Sequence, residues 1–195
     1  MKQNKIVLLL PLTVMACLFA FGFYMIQQAE KVTNAELDKY VQLNIDLPET
    51  DVLEVSWDWG DLPEDGLTGV GIVELTLMNG DNQPVPIAHQ AAQLDLYQAA
   101  NVIYSTVESE TADSGVFLSF PNKIEDNTLY GPSGRLTVEL DDNVGEWTTV
   151  LARYYHVWDS DVDMLVLTSE KTVADQLASL DIEQYWLIQR STVLP

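Results

Sequence analysis

The chain has 195 residues, and its 9 lysines and arginines face 30 aspartates and glutamates, giving a formal net charge of −21 at pH 7. Such an acidic surface repels nucleic acid and anionic lipid, so we expect neither nucleic-acid binding nor peripheral membrane binding. It favours high solubility, with a cationic partner or divalent ions as the alternative. The single cysteine, Cys17, provides no disulfide, which indicates that a hydrophobic core stabilises the fold.

Residues 6–26 form a run of 21 residues without a charged side chain. Because about 20 apolar residues cross a bilayer, this run predicts one transmembrane helix over residues 6–27. Lys2 and Lys5 precede it, so the positive-inside rule places residues 1–5 in the cytoplasm and the rest of the chain outside it, periplasmic or extracellular. A cleaved signal peptide and lipidation at Cys17 are the alternatives.

Particular residues of this run have expected roles in the span. Pro11 lies in its first half, where a kink is tolerated, and Phe23 belongs to an aromatic group near its far end. Ala16 and Ala20 form a stripe of small residues, which suits contact with another membrane helix. The predicted anchor residues are Ile6, Pro11, Ala16, Ala20, Phe23 and Ile26.

Residues 28–41 are predicted to form a juxtamembrane stalk, in which Thr33 and Asn34 cap a short helix. Polar and apolar residues then alternate, which predicts an extracytoplasmic β-domain over residues 42–195. The expected strands are 41–45, 52–59, 70–78, 92–97, 116–120, 136–140, 147–158, 165–167 and 185–189. A short helical turn is expected at 174–180, and residues 98–108 fit either a helix or a strand. Short strands between Gly, Pro, Asn and Asp turns predict an all-β sandwich.

Two pairs of aromatic residues bear on the core. Trp57 and Trp59 project from the same side of one predicted strand, about 7 Å apart. Buried, they anchor the core, which is the favoured interpretation; exposed, they offer a platform for a sugar ring or a partner peptide. Tyr154 and Tyr155 point to opposite faces, so we expect at least one to be either accessible or covered by residues 174–180.

An acidic segment is the best metal candidate. Asp159, Asp161 and Asp163 alternate, and Glu170 follows at the twelfth position, as in a calcium loop. However, Met164 stands where such a loop requires glycine, which favours a plain acidic turn.

Other metal or catalytic chemistry has little support in the sequence. The two histidines, His89 and His156, are far apart and lie near no nucleophile motif. We therefore expect no enzymatic activity, no small-molecule substrate and no cofactor, with calcium as the one alternative.

Three segments carry a family resemblance. Residues 79–85 read NGDNQPV after a predicted strand, residues 136–140 alternate, and GEW at 145–147 leads into Val150 and Leu151. Together with the anchor, residues 70–155 resemble the FixH/YtkA-like membrane-anchored family, although 98–115 and the region after 156 have no counterpart there. The resemblance implies an immunoglobulin-like antiparallel β-sandwich and an accessory or assembly role in a membrane respiratory or cation-transport complex.

The sequence thus predicts a non-enzymatic, single-pass membrane protein whose acidic domain binds a protein partner, as part of a membrane complex. The alternative is a surface module that binds calcium through the acidic segment, or carbohydrate through Trp57 and Trp59.

Overall fold

The computed structural model describes residues 4–27, 31–107, 110–112, 115–142, 144–158, 165, 167 and 171–193. The chain divides into two compact units, Met1–Lys31 and Val32–Pro195.

The first unit contains one helix, α1 (Asn4–Gln27), which includes Pro11. Its side chains are described over residues 9–24, and large apolar ones such as Leu12, Leu18 and Phe19 are exposed. Among the residues that the structure describes, no helix has the combination of length and apolarity that crossing a membrane requires. The predicted anchor residues all fall within α1, and the membrane span stays a prediction from the sequence.

The second unit begins with a 3₁₀ helix (Asn34–Tyr40). Its other elements follow in chain order: β1 (Val41–Asp46), β2 (Val52–Trp59), β3 (Val70–Met78), β4 (Pro84–Val85), β5 (His89–Gln98), β6 (Asn101–Thr106), β7 (Glu110–Ala112), β8 (Gly115–Pro121), β9 (Lys123–Glu125), β10 (Thr128–Tyr130), β11 (Ser133–Leu140), β12 (Thr149–Val157), α2 (Val173–Ser179) and β13 (Tyr185–Val193).

The strands form two antiparallel sheets that pack face to face. The first sheet has the order β1-β2-β11-β5-β6, and the second has the order β13-β12-β3-β8-β7, with β4 beside β3. Strands β9 and β10 form a separate hairpin. Side chains of both sheets meet in one core, whose largest buried members include Trp57, Leu94, Phe120 and Tyr154. The predicted all-β sandwich is confirmed.

The outward face of the second sheet is covered by further chain. Tyr155 projects there and is only 2 % exposed, because it packs in a second apolar cluster with Val173 and Leu177 of α2 and with Leu165 and Leu167. Of the two alternatives left open for the paired tyrosines, the structure shows the second, since Tyr155 is covered and neither tyrosine is accessible.

The predicted stalk needs a correction at its boundary. Val32, Asn34 and Leu37 are buried, and Val32 and Leu37 belong to the core between the sheets. Their apolar side chains hold this stretch against the β-unit, which therefore starts at Val32. The cap at Thr33 also differs, since its side chain makes no capping hydrogen bond.

The ambiguous stretch at 98–108 contains the strand β6, which pairs with β5 across a turn at Ala99 with a φ of 55°. The strand predicted at 92–97 lies within β5, where Ala92, Leu94 and Leu96 are buried in alternation. In the segment predicted as a strand at 165–167, residues 165 and 167 belong to no strand, and residue 166 lies outside the described residues.

Candidate functional site

The two tryptophans, for which a core position was the favoured interpretation and a binding platform the alternative, lie inside the protein. Trp57 is 2 % exposed and Trp59 is 7 % exposed. The Trp57 ring stacks on Phe120 with 4.9 Å between ring centroids, and its Nε1 donates to the Gly131 carbonyl at 2.8 Å. Gly134 makes room for the ring, since a Cβ there would lie 2.2 Å from Trp57 Cζ2. The platform hypothesis is therefore wrong, because no sugar or peptide reaches these rings.

The predicted calcium ligands, Asp159, Asp161, Asp163 and Glu170, lie outside the described residues, so the calcium site stays a prediction. Within the described part of the chain, no three His, Cys, Asp or Glu side chains are grouped to hold a metal ion.

A buried polar network that the sequence reasoning missed is centred on His156. This histidine projects inward from β12 and is 0 % exposed. The rings of Trp59, Trp158 and Trp186 surround it, with centroids 5.0, 5.6 and 5.2 Å from the imidazole. The sequence contained one signal for this network. His156 faces inward on an alternating strand, and a buried polar side chain needs hydrogen-bonding partners.

Asn34, at the start of the 3₁₀ helix, uses all of its polar groups in this network. Its backbone N–H and its Nδ2 each donate to Asp65 Oδ1 at 3.0 Å, and Nδ2 also donates to the Gly66 carbonyl at 2.8 Å. Its own carbonyl accepts from Trp186 Nε1 at 2.9 Å. Asn34 thereby joins the 3₁₀ helix, the loop after β2, and β13.

The hydrogen-bond pattern determines which ring nitrogen of His156 carries the proton. Since Asn34 Nδ2 faces acceptors, Asn34 Oδ1 is the atom that lies 2.9 Å from His156 Nε2, and Nε2 must donate. In the neutral ring Nδ1 is then an acceptor, which takes a hydrogen bond from Asn122 Nδ2 at 2.7 Å. Asn122 Oδ1 is left pointing away from the imidazole.

Burial keeps this imidazole neutral. It lowers the pKa of His156 to about 3, and the negative charge of Asp65 opposes the shift only in part. Both ring nitrogens are already hydrogen-bonded within the protein. The geometry therefore assigns His156 a structural role in the described fold, since it has no free nitrogen for a metal ion or for proton transfer.

A second buried polar group lies on the covered face of the second sheet. Glu74 is 2 % exposed, accepts a hydrogen bond from the Tyr155 hydroxyl at 3.0 Å and lies 3.3 Å from Arg153 Nη1. Burial, followed by the charge of Glu74, raises the pKa of Tyr155. Glu74 is thus paired from two sides, as a buried carboxylate needs to be.

The outward face of the first sheet is different, because it is open and acidic. Its strands alternate buried apolar residues with outward polar ones. We call this surface the acidic face; its carboxylates are Asp46, Glu54, Asp58, Asp95 and Glu139. Arg135 projects from the same face, and its Nη1 lies 3.4 Å from Glu54 Oε1.

The acidic face carries an arrangement that does not favour stability. Asp46 and Glu54 are directly opposite each other on β1 and β2. Like charges in that position destabilise a sheet. The uncharged positions nearby, such as Asn44, Ser56 and Thr137, are small and polar, so the face is hydrophilic. It therefore suits a charged, polar contact better than an apolar one.

Comparison with known proteins adds little. No protein-family model matches the chain. No curated protein matches it. Among solved structures, one described as "AvmM Catalyzes Macrocyclization in Alchivemycin A Biosynthesis" is similar at 9% sequence identity, over 80% of this chain and 88% of that one, with a TM-score of 0.40. A likeness at that TM-score carries no conclusion about this chain.

Proposed function

We propose that this chain is a non-enzymatic, membrane-anchored protein whose acidic face binds a basic surface of a protein partner outside the cytoplasm. The observation that carries the proposal is the open outward face of the first sheet, which carries five carboxylates and Arg135, with Arg135 opposite Asp95 and 3.4 Å from Glu54. Opposite potentials across an interface speed association and select partners. The opposed pair Asp46 and Glu54, which does not favour stability, agrees with a binding role.

The anchor in this proposal rests on the sequence of residues 6–26, which has no charged side chain and lies within the helical α1. The chain is then a single-pass protein with a cytoplasmic N-terminus and a periplasmic or extracellular β-unit. Carbonate extraction of membranes is expected to leave the chain in the pellet. Protease added outside the membrane is expected to cleave the β-unit and spare residues 1–5. Release by carbonate would refute the anchor.

The accessory role in a membrane complex, and an immunoglobulin-like form of the sandwich, rest on the resemblance to the FixH/YtkA-like family. The decisive experiment is a pull-down of the full-length chain from membranes in mild detergent, with mass spectrometry of what accompanies it. A stoichiometric membrane complex supports the proposal, and a chain that elutes alone refutes an obligate complex.

A matched pair of variants tests the acidic face itself. The face variant neutralises four of its acids: Asp46→Asn, Glu54→Gln, Asp58→Asn and Glu139→Gln. The control variant removes the same charge at exposed acids elsewhere: Asp81→Asn, Asp126→Asn, Glu146→Gln and Glu183→Gln. We expect the face variant to lose at least about tenfold in affinity and the control to lose little, with binding that weakens as salt rises. Equal losses in both would mean that overall charge, and not this face, governs binding.

A further inference from the structure

The strand β6 differs from the other strands that end the two sheets. Within the part of the chain that the structure describes, β6 pairs with β5 alone. At the other sheet ends, β7 has three residues and contains Glu110, whereas β1 and β13 contain Asp46 and Arg190 and lie close to each other. β6 has six residues, none of them charged. Proteins normally protect a sheet edge with charged side chains, a short strand or a covering segment.

The edge of β6 has room for a further strand. Asn101, Val102 and Ser105 are exposed. The hairpin of β9 and β10 lies near β5 and β6, but it forms no strand pair with β6. A bulge at Ile103, where the register with β5 shifts, leaves residues 104–106 as the regular part of the edge. The end strand of a sheet presents backbone N–H and C=O groups to which an extended segment of another protein can pair.

The acidic face adjoins this edge and indicates the charge of the segment that pairs there. Asp95 lies beside Ser105 in the strand register, and Gln93 Nε2 donates to Asp95 Oδ1 at 3.0 Å. Asp95 forms no ion pair with a described residue, since Arg135, opposite it on β11, lies 3.4 Å from Glu54 instead. A strand added to β6 would lie about 10 Å from β5, two strand spacings away, with the small Ser105 side chain between them. A lysine or arginine side chain, whose charge ends a long flexible stem, can cross this gap to the carboxylate.

The inward side of an added strand would meet apolar side chains. Ile103 and Tyr104 are partly buried and pack against the core between the sheets. The segment that fits therefore has cationic residues on one side and apolar residues on the other, which is the alternation of an extended strand. A second copy of this chain is disfavoured, because pairing β6 with β6 would join two acidic faces and bring like charges together.

We propose that β6 is a docking edge for one extended segment of the basic protein partner, which adds to the first sheet as a further strand. Its lysine or arginine side chains lie over the acidic face, and its apolar side chains lie against Ile103 and Tyr104. Backbone hydrogen bonds to β6 provide affinity, and the contact with Asp95 selects a basic segment. This inference rests on the proposed function and names the form in which the partner binds.

The test uses the full-length chain in detergent and a short synthetic peptide that alternates lysine and valine. We expect the peptide to bind and to slow hydrogen–deuterium exchange in residues 101–107, because backbone N–H groups of β6 gain hydrogen bonds. The control peptide has the same side chains on an N-methylated backbone, which keeps the charge but cannot pair, and is expected to bind far more weakly. Failure of the first peptide to bind, or binding without slower exchange at β6, overturns the added strand.

A matched pair of variants locates the peptide. Ser105 and Asn44 are both exposed, and they lie on the two end strands of the first sheet. Ser105→Lys puts a cation between the peptide and Asp95, and we expect it to weaken peptide binding at least about tenfold. Asn44→Lys makes the same change of charge on β1 and should weaken binding less than about threefold.

The results separate this edge from the proposed function. Equal losses for Ser105→Lys and Asn44→Lys would overturn docking at β6 and leave the acidic face as the binding surface. Failure of the proposed function is a different result, in which the face variant and its control retain the partner equally. A free chain of doubled mass, with exchange at β6 already slow, would overturn the proposal in favour of pairing between two copies.

Discussion

The outward faces of the two sheets have different environments. In the first sheet, β2 alternates buried and more exposed residues, and its outward side chains meet solvent. In the second sheet, all but the last residue of β3 are buried, because α2 and residues 165 and 167 lie over its outward side. Apolar residues on both sides of a strand therefore identify the sheet that is covered. The open face is free to bind a partner, whereas the covered face contributes to stability.

The largest effect on stability is expected where an apolar contact between α2 and the outward side of the second sheet is removed. Leu177 of α2 is 0 % exposed beside Tyr155, so Leu177→Ala leaves a cavity and should lower the free energy of unfolding by about 3 kcal/mol. Leu180, just past the end of α2, is 54 % exposed, and Leu180→Ala should cost less than about 0.5 kcal/mol. Denaturant titration measures both. Similar costs at the two positions would mean that α2 does not seal this face.

Substituting one asparagine in the buried network and one on the acidic face compares how much each region contributes to stability. Asn34→Ala leaves His156 Nε2 without its acceptor, and we expect a cost of about 2 kcal/mol in the free energy of unfolding. Asn44 lies exposed on the outward side of β1, and Asn44→Ala should change stability by less than about 0.5 kcal/mol. Thermal unfolding of the two variants side by side tests this. A mild Asn34→Ala would show that the network contributes little to stability.

The neutral, buried His156 predicts a defined pH dependence. Its pKa is about 3 in the folded chain and about 6.5 unfolded, so between these values the unfolded chain binds a proton that the folded chain does not. Stability is therefore full above pH 6.5 and falls as the pH falls, by up to about 1.4 kcal/mol per pH unit from this group.

The measurement is the difference in unfolding free energy between the unmodified chain and His156→Gln from pH 7 to pH 5. We expect this difference to shrink as the pH falls. A constant difference for His156→Gln would contradict the neutral buried ring.

The smallest change in stability is expected for a substitution on the acidic face. Asp46→Asn removes the repulsion with Glu54 across β1 and β2, and should stabilise the chain by about 0.3 kcal/mol. Asp81→Asn, at the exposed turn after β3, gives the control and should change stability less. High salt should reduce the gain, since screening weakens the repulsion between exposed charges. A destabilised Asp46→Asn would show that this carboxylate has a structural role.

Much of the sandwich could be predicted from alternation alone, because β1, β2, β3 and β12 each repeat apolar residues at every second position. That Tyr154 and Tyr155 face opposite sides was also predictable from the alternation, but whether the outward one is accessible or covered was left open. The network around His156 was not, because Asn34, Asn122 and Asp65 are distant in sequence and meet only in three dimensions. The acidic face required the strand order, which sets which carboxylates become neighbours.

The placement of Asn34 has a mechanical consequence. It is the third residue of the β-unit, which begins at Val32, and its amide and carbonyl groups are tied to Asp65, His156 and Trp186. These hydrogen bonds, together with the one that the Glu64 N–H donates to the Val32 carbonyl at 2.9 Å, fasten the start of the β-unit ahead of its first strand. A pull on the N-terminal end of the β-unit would therefore have to break buried hydrogen bonds before it reached β1.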